Sequence, residues 1–329
     1  MSSTSFPHPR RGTPDWRSAG FRYHSLNWFF GRKFGHRVWK ISVDAGFRCP
    51  NAESPAGNGG CIFCNIPSFS PSRRGPPRPI TAQIDDAARR LRGRYRVEHF
   101  VAYFQPATNT YAPVERLRAA YEEALAHPQV IGLAIGTRPD CVPEEVLDLL
   151  AELSQRTWLV IEYGLQSVHD RSLVWLRRGH DYAAFLDAVE RSHRRGLAIG
   201  AHVILGLPGE RREDMLATAR EVARLPIHSV KLHNLYAVKD TPLADAVAAG
   251  SVRLPELDEY IGYVVDFLEA IPGECVVDRL CGDAPPQYLV DPKWCTDKSS
   301  VRRAIEAEFL RRDSWQGKRV ESPESRVEG

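Results

Sequence analysis

Six short apolar runs alternate with longer amphipathic stretches, and this alternation constrains the fold more than any other feature of the 329-residue chain. The runs are Val38 to Val43, His99 to Phe104, Ile131 to Thr137, Trp158 to Leu165, Ala198 to Leu207 and Val230 to Val238. Most are rich in Val, Ile, Leu and aromatics, the composition of strands buried on both faces of a parallel sheet. The stretches between them carry apolar residues at helical spacing. Ile84, Ala87, Ala88 and Leu91 fall at i, i+3, i+4 and i+7. Val146, Leu149, Leu150 and Leu153 do the same, behind a Pro143 placed to start a helix. Further helical patterns cover 113–127, 181–195, 210–224 and 256–271. Strand then helix, repeated in this way, predicts an α/β fold with a parallel sheet and right-handed crossovers. Six units fall short of the eight of a closed barrel. A doubly wound sheet is the alternative, but an open, partial (β/α)6 TIM-type barrel better suits the residues at the strand ends.

In such folds chemistry gathers in the loops after the strands. Here those loops carry Cys49, Gln105 to Tyr111, Thr137-Arg138-Pro139-Asp140, Gly164-Leu165-Gln166-Ser167, Gly206-Leu207-Pro208-Gly209 and Asn234-Leu235-Tyr236. Residues 1–20, rich in Ser, Pro and Arg, are expected to form a mobile N-terminal arm. The barrel is expected over 21–275, a C-terminal extension packing on it over 276–316, and a flexible tail over 317–329. Apolar runs are far shorter than the roughly 18 residues a membrane span needs, and the N-terminus has no apolar signal core. A cytoplasmic, membrane-free protein is the expectation. Net charge is +3, from 44 Lys and Arg against 41 Asp and Glu, which by itself says little about nucleic acid.

The strongest chemical signal is Cys49-Pro50-Asn51 followed by a Gly-rich loop and Cys61-Ile62-Phe63-Cys64, a C-x11-C-x2-C pattern. Thiolates are soft ligands suited to iron–sulfur clusters or zinc. Gly57, Gly59 and Gly60 permit the turns that bring backbone N–H groups near cluster sulfides. A structural zinc site takes four ligands, and no fourth Cys or His lies nearby in sequence. Three ligands on a four-iron cluster leave one iron open. Zinc completed from elsewhere in the chain and unliganded thiols stand as the alternatives.

These residues resemble the radical S-adenosylmethionine superfamily, and within it the YhcC-like branch. The resemblance runs from Val43-Asp44-Ala45-Gly46-Phe47-Arg48-Cys49-Pro50-Asn51 through Gly59-Gly60-Cys61-Ile62-Phe63-Cys64. It continues in Tyr103-Phe104-Gln105, Thr108-Asn109-Thr110-Tyr111, Gly136-Thr137-Arg138-Pro139-Asp140-Cys141, Glu162-Tyr163-Gly164-Leu165-Gln166-Ser167, Arg178-Gly179-His180, Val230-Lys231-Leu232-His233 and Arg311 to Gly317. The stretch Asn51-Ala52-Glu53-Ser54 departs from the Asn-Arg-Asp-Gly common among relatives. The resemblance implies a partial (β/α)6 barrel in which Cys49, Cys61 and Cys64 hold a [4Fe–4S] cluster. S-adenosylmethionine would chelate the open iron and be cleaved to a 5′-deoxyadenosyl radical, with electrons from an external donor of flavodoxin or ferredoxin type. It further implies that Gln166 bonds the ribose, that Arg178 pairs with the methionine carboxylate, and that Thr108 and Asn109 lie in the loop that cradles the methionine amine, largely through backbone. Gln105, Thr137 and Ser167 lie in the same cofactor-contacting loops. His202 stands where some relatives carry an acidic ribose ligand, and Gly136 where some carry Glu.

Cys141, His180, His233 and Lys239 are candidates to touch substrate. Against them stand a buried thiol for Cys141, a loop hydrogen bond for His180 and an exposed charge for Lys239. Cys275, Cys281 and Cys295, spaced C-x5-C-x13-C, match no cluster pattern and read as core thiols. Arginines at 73, 74 and 78 and at 89–96 have few acids beside them in sequence, so a phosphate-binding rim is one reading and a solvated face the other. The motifs Thr137 to Asp140 and Gly164 to Ser167 also resemble the radical-SAM subunit of Elongator, which builds a side chain on the tRNA wobble uridine. That resemblance implies tRNA as partner and substrate. A small metabolite or tetrapyrrole is the alternative substrate, and a non-catalytic metal-binding module for RNA or protein is the rival class.

Overall fold

The computed structural model describes residues 15–53 and 59–321; Gly57 and Ser54 lie outside them. The main sheet has seven strands in the order β1-β2-β3-β4-β5-β6-β8, and a second has two, β7 and β9. These are β1 (Val38–Val43), β2 (His99–Phe104), β3 (Val130–Thr137), β4 (Trp158–Gln166), β5 (Ala198–Leu205), β6 (Ser229–Asn234), β7 (Ala237–Val238), β8 (Val276–Arg279) and β9 (Leu289–Asp291). The six expected strands are all present, each followed by helix, in the α/β partial-barrel order. Two boundaries differ. The run from Val230 breaks after Asn234, and β7 pairs antiparallel with β9 instead. β8 pairs parallel with β6, so the main sheet continues past residue 275, where the extension was expected to begin. A four-residue strand is too short to show a periodicity in sequence. Among the described residues no helix is long and apolar enough to cross a membrane.

The chain divides into two compact units. One comprises Phe30–Leu165 and Leu173–Gly200. Here β1, β2, β3 and β4 pair in parallel, and the register fixes two faces. One face carries Ile41, Val43, Phe100, Ala102, Phe104, Leu133, Ile135, Ile161 and Tyr163, all buried. Helices cover it: the Phe104 ring meets Tyr121 of Val114–Leu125 edge-on at 5.0 Å, and Tyr163 hydroxyl bonds Ser192 of Tyr182–Arg194 at 2.7 Å. The other face carries Lys40, Ser42, Val101, Tyr103, Gly132, Ala134, Gly136, Val160, Glu162 and Gly164. Lys40 Nζ lies 2.5 Å from Glu162 Oε1 across the two intervening strands. In a flat sheet β1 and β4 would stand roughly 14 Å apart, beyond the combined reach of these side chains. The pair therefore requires a curled sheet, and the small residues Gly132, Ala134 and Gly136 on β3 leave room inside the curve.

The second unit comprises the described parts of Met1–Phe29, Gln166–Ser172 and Ala201–Gly329. In β6, Val230 and Leu232 are buried on one face while Lys231 and His233 share the other. At the end of β5, Gly206 has φ +78, and a Cβ there would meet Pro255 Cγ at 2.2 Å. Only glycine satisfies both the turn and the close approach.

The described part of the expected mobile arm is ordered. Asp15–Ser18 is a helical turn, Trp16 is buried, and its indole N–H donates to Gly273 O at 2.9 Å. One large aromatic in a polar stretch suffices, since burying such a side chain contributes on the order of 2 kcal/mol. The expected tail is likewise corrected at its start. Gly317 N–H donates to Leu268 O at 3.0 Å, and Arg319 pairs with Glu269 at 2.8 Å. Between these ends Gln316, fully buried, donates to the carbonyls of Pro272 and Cys275 and accepts from His24 N–H.

Candidate active site

Cys49, Cys61 and Cys64 lie in the unit of Phe30–Leu165 and Leu173–Gly200. Cys49 follows β1, and its carbonyl accepts from Ala52 and Glu53 N–H, which winds the short helix Pro50–Glu53. Cys61 and Cys64 share one turn, closed by Cys64 N–H to Cys61 O at 3.0 Å. Burial, then the neighbouring sulfurs of Cys61 and Cys49, push the Cys64 thiol up to about 12. The three sulfurs therefore sit within electrostatic reach of one another. Two donors aim at Cys61 Sγ, Asn51 Nδ2 and Arg178 Nη1, each at 3.3 Å.

Arg178 is buried, not an exposed charge on its loop. Its Nη2 donates to Gly164 O at 3.1 Å, and its buried Nε has no partner. Arg138, also buried, holds the loop from below by donating to the carbonyls of Arg178 and Gly179, while Asp140 pairs with it at 2.6 Å. Thr108 and Asn109 are buried between strand ends. Asn109 Nδ2 donates to Phe104 O and Gly136 O, which leaves Asn109 Oδ1 and Thr108 Oγ1 without partners. Thr137 hydroxyl bonds Thr110 at 2.6 Å, and Gln105 accepts from Ser42 at 3.2 Å.

Cys141 is buried and its thiol is pushed up to about 12, by burial first and by Asp140 second. His180 is half-buried. Burial, then the Arg178 charge, lower it to about 4, so it is uncharged at neutral pH. The arginines at 73–78 are not a free rim. Arg73 pairs with Asp44 at 2.6 Å, Arg74 bonds the carbonyls of Pro67 and Ser68, and Arg78 pairs with Asp86. Folding brings Arg73 an acid that is distant in sequence. Arg90, Arg92, Arg94 and Arg96 remain exposed.

In the other unit, Gln166 ends β4 with φ +71, a left-handed conformation uncommon for a side chain of its size and concentrated at functional positions. Ser167 hydroxyl donates to Glu210 at 2.5 Å, which Ser172 also does at 2.6 Å. His202 and His233 are neighbours, with ring centroids 5.6 Å apart, and Arg279 lies against His233. Lys239, directly after β7, is exposed. Cys275, Cys281 and Cys295 are buried free thiols, as core thiols should be.

Sequence reasoning passed over Asn51, Arg138 and Arg279, and the pair Lys40 and Glu162. A signal existed for the last two, since each is a charge inside an otherwise apolar strand.

The sequence family described as the Radical SAM superfamily matches residues 54–222, and the Radical_SAM C-terminal domain matches 227–311. The chain belongs to the radical SAM superfamily. YtqA of Bacillus subtilis is 39% identical over 297 residues, 90% of this chain and 92% of its own length. YhcC of Escherichia coli is 36% identical over 277 residues, 83% of this chain and 88% of its own. A more distant relative, the tRNA uridine(34) acetyltransferase of Methanocaldococcus infernus, is 25% identical over 186 residues, 54% of this chain and 34% of its own. The structure of Methanocaldococcus infernus Elp3 lacking its N-terminus superposes with a TM-score of 0.61 at 19% identity. That match covers 83% of this chain and 63% of Elp3, and it shows a shared fold. This radical SAM protein is accordingly one whose cofactors are a [4Fe–4S] cluster and S-adenosylmethionine.

The side chains present fit that pair. The donor set is thiol, with hydrogen bonds directed at sulfur. Three buried polar atoms, Arg178 Nε, Thr108 Oγ1 and Asn109 Oδ1, have no protein partner. Buried polar groups normally have a hydrogen-bond partner, so these three atoms are open to a polar ligand. Among the described residues no three His, Cys, Asp or Glu side chains converge on a single ion. A four-iron cluster, bound through separate irons, does not need that convergence.

Proposed function

We propose that Cys49, Cys61 and Cys64 ligate the [4Fe–4S] cluster and that the protein is a radical SAM enzyme acting on a tRNA wobble-uridine side chain. The observation that carries the radical reading is the set of three thiols, Cys49 after β1 and Cys61 and Cys64 in one turn, with Arg178 and Asn51 donating to Cys61 Sγ. Bound together, the cluster and S-adenosylmethionine supply reductive cleavage to a 5′-deoxyadenosyl radical, which takes hydrogen from the substrate. The protein's part is to orient and to exclude water. Arg178 braces a ligand sulfur with one arm, ties to Gly164 with another and offers Nε to the cofactor carboxylate. Thr108 Oγ1 and Asn109 Oδ1 offer polar atoms for the methionine amine, Thr137 and Gln105 border them, and Gln166, Ser167 and His202 are assigned to the ribose side. Cys141, His180 and His233 are assigned to substrate. Lys239, being exposed, is the weakest of that set.

Arg178→Ala is expected to weaken S-adenosylmethionine binding roughly ten- to a hundredfold, the worth of a charge-assisted pair. Because the donation to Cys61 Sγ also goes, the cluster's reduction potential should fall. Calorimetry and potentiometry read the two effects, and an unchanged dissociation constant would remove Arg178 Nε from the cofactor.

The substrate reading rests on the strand-end motifs shared with Elongator's radical-SAM subunit and on the likeness to a tRNA uridine(34) acetyltransferase. It rests also on the exposed arginines at 90–96. The chain spans about a third of that relative; the activity proposed is remodelling of an existing side chain by radical chemistry. In nucleoside mass spectrometry of bulk tRNA, a deletion strain should show an altered wobble uridine. Binding of tRNA should weaken steeply between roughly 50 and 200 mM salt. An unchanged nucleoside profile with no binding at low salt would sink the tRNA reading and favour a small metabolite.

A further inference from the structure

Reductive cleavage consumes one electron per event, so some face of the protein must bring a donor close to a ligand sulfur. In the cysteine-bearing unit a cavity of about 350 Å³ opens beside the cysteine turn, lined among others by Asn51, Val174, Arg177, Arg178, His180 and Asp181. Asn51 and Arg178 are the two residues whose side chains donate to Cys61 Sγ, each at 3.3 Å. The wall of this surface cavity is thus a single side chain thick between its lining and that sulfur.

The rim is apolar at one point and cationic at another. Val174 is 76% exposed, the most exposed large hydrophobic side chain among the described residues, while its neighbour Leu173 is buried. Arg177 is exposed and sits at φ +54, held there by Asn51 Nδ2, which donates to its carbonyl at 2.7 Å. Gly179, at φ +70, lets the loop close onto Asn51, since a Cβ there would lie 2.7 Å from Asn51 Oδ1. The rim's carboxylate, Asp181, is turned to capping Ala184 N–H at 2.9 Å. A fixed arginine beside one projecting apolar side chain suits a small, transient contact with a negatively charged partner.

We propose that this face docks a small acidic one-electron carrier protein, seated on Val174 and Arg177, whose electron enters through the wall formed by Asn51 and Arg178. The carrier gives up one electron and the oxidised cluster gains it. The inference rests on the proposed function, because it takes Cys61 as a ligand.

The test compares two reductants on Val174→Asp and Arg177→Glu. Dithionite, a small ion, needs no docking face. Flavodoxin, kept reduced by its NADPH-dependent reductase, does. With dithionite, both variants should form 5′-deoxyadenosine within about twofold of wild type. With flavodoxin their rates should fall about tenfold or more, the scale expected when a contact charge is reversed. Binding of oxidised flavodoxin to the cluster-loaded, oxidised protein should weaken about tenfold in both variants, read by calorimetry. Flavodoxin-driven rates and binding that match wild type in both variants would overturn the proposal. So would a wild type that turns over with dithionite but neither binds nor uses flavodoxin. A wild type that cleaves nothing even with dithionite contradicts the proposed function instead, and the flavodoxin binding comparison still decides the docking face.

Discussion

Replacing Cys49, Cys61 or Cys64 with alanine is expected to abolish the brown chromophore of anaerobically reconstituted protein. Formation of 5′-deoxyadenosine should fall to background in each variant, because two thiolates cannot retain a four-iron cluster that also keeps one iron for the cofactor. The fold should survive. All three cysteines lie on loop turns outside the sheet, and the buried faces of β1 to β4 draw nothing from them. Far-UV circular dichroism should therefore match wild type, and only Cys61, the most buried of the three, should carry a measurable stability cost. Its loss removes the acceptor of both Asn51 and Arg178, and removing the partner of a buried donor costs about 1–3 kcal/mol. Full 5′-deoxyadenosine formation in any of the three variants would strike that cysteine from the ligand set. A variant that loses its circular dichroism spectrum would show instead that the turn is part of the folding core.

The alternation of apolar runs and amphipathic stretches was enough to read the order of strands and helices, because strands buried on both faces and one-sided helices leave different periods. It was blind to β8, whose four residues carry no period, and to the break after Asn234. That break is imposed by contacts from far along the chain, where Asn234 Oδ1 accepts from Gly282 N–H at 2.9 Å. The cysteine turn was legible because its spacing is local. The environment of Cys61 was not, since Arg178 reaches it from 117 positions away. The arginines at 73–78 show the same limit in reverse. Counted along the sequence they lack acids, yet Asp44 meets Arg73 from 29 positions upstream. Charge balance read from sequence neighbours holds on a helix, where i and i+4 meet, and fails in loops that pack against a strand end. At the N-terminus a polar composition hid one residue, Trp16, whose burial outweighs its neighbours.

Glu162→Leu is expected to destabilise the protein by about 3–5 kcal/mol, the usual cost of removing one member of a buried ion pair. Glu162 is almost fully buried and Lys40 nearly so, with side chains 1% and 12% exposed, and the Lys40 ammonium also lies 5.0 Å from the Tyr103 ring centre. Without the carboxylate, Lys40 keeps a charge on the concave face of the sheet with its principal counterion gone. Replacing both, as Lys40→Met with Glu162→Leu, should recover most of the loss, because buried pairs exchanged for packed apolar groups are often neutral or stabilising. Urea unfolding of wild type, both single variants and the double variant gives the coupling energy directly. Activity should behave differently. Lys40 and Glu162 hold β1 against β4 across the curve, so they set the spacing between the loop that begins at Cys49 and the strand end at Gly164, to which Arg178 is tied. A double variant with restored stability but slowed 5′-deoxyadenosine formation would mark the pair as a positioning device. A double variant that loses as much stability as the two single variants added together would mean that the two charges do not depend on each other, and that the curl of the sheet is held by packing on its helix-covered face.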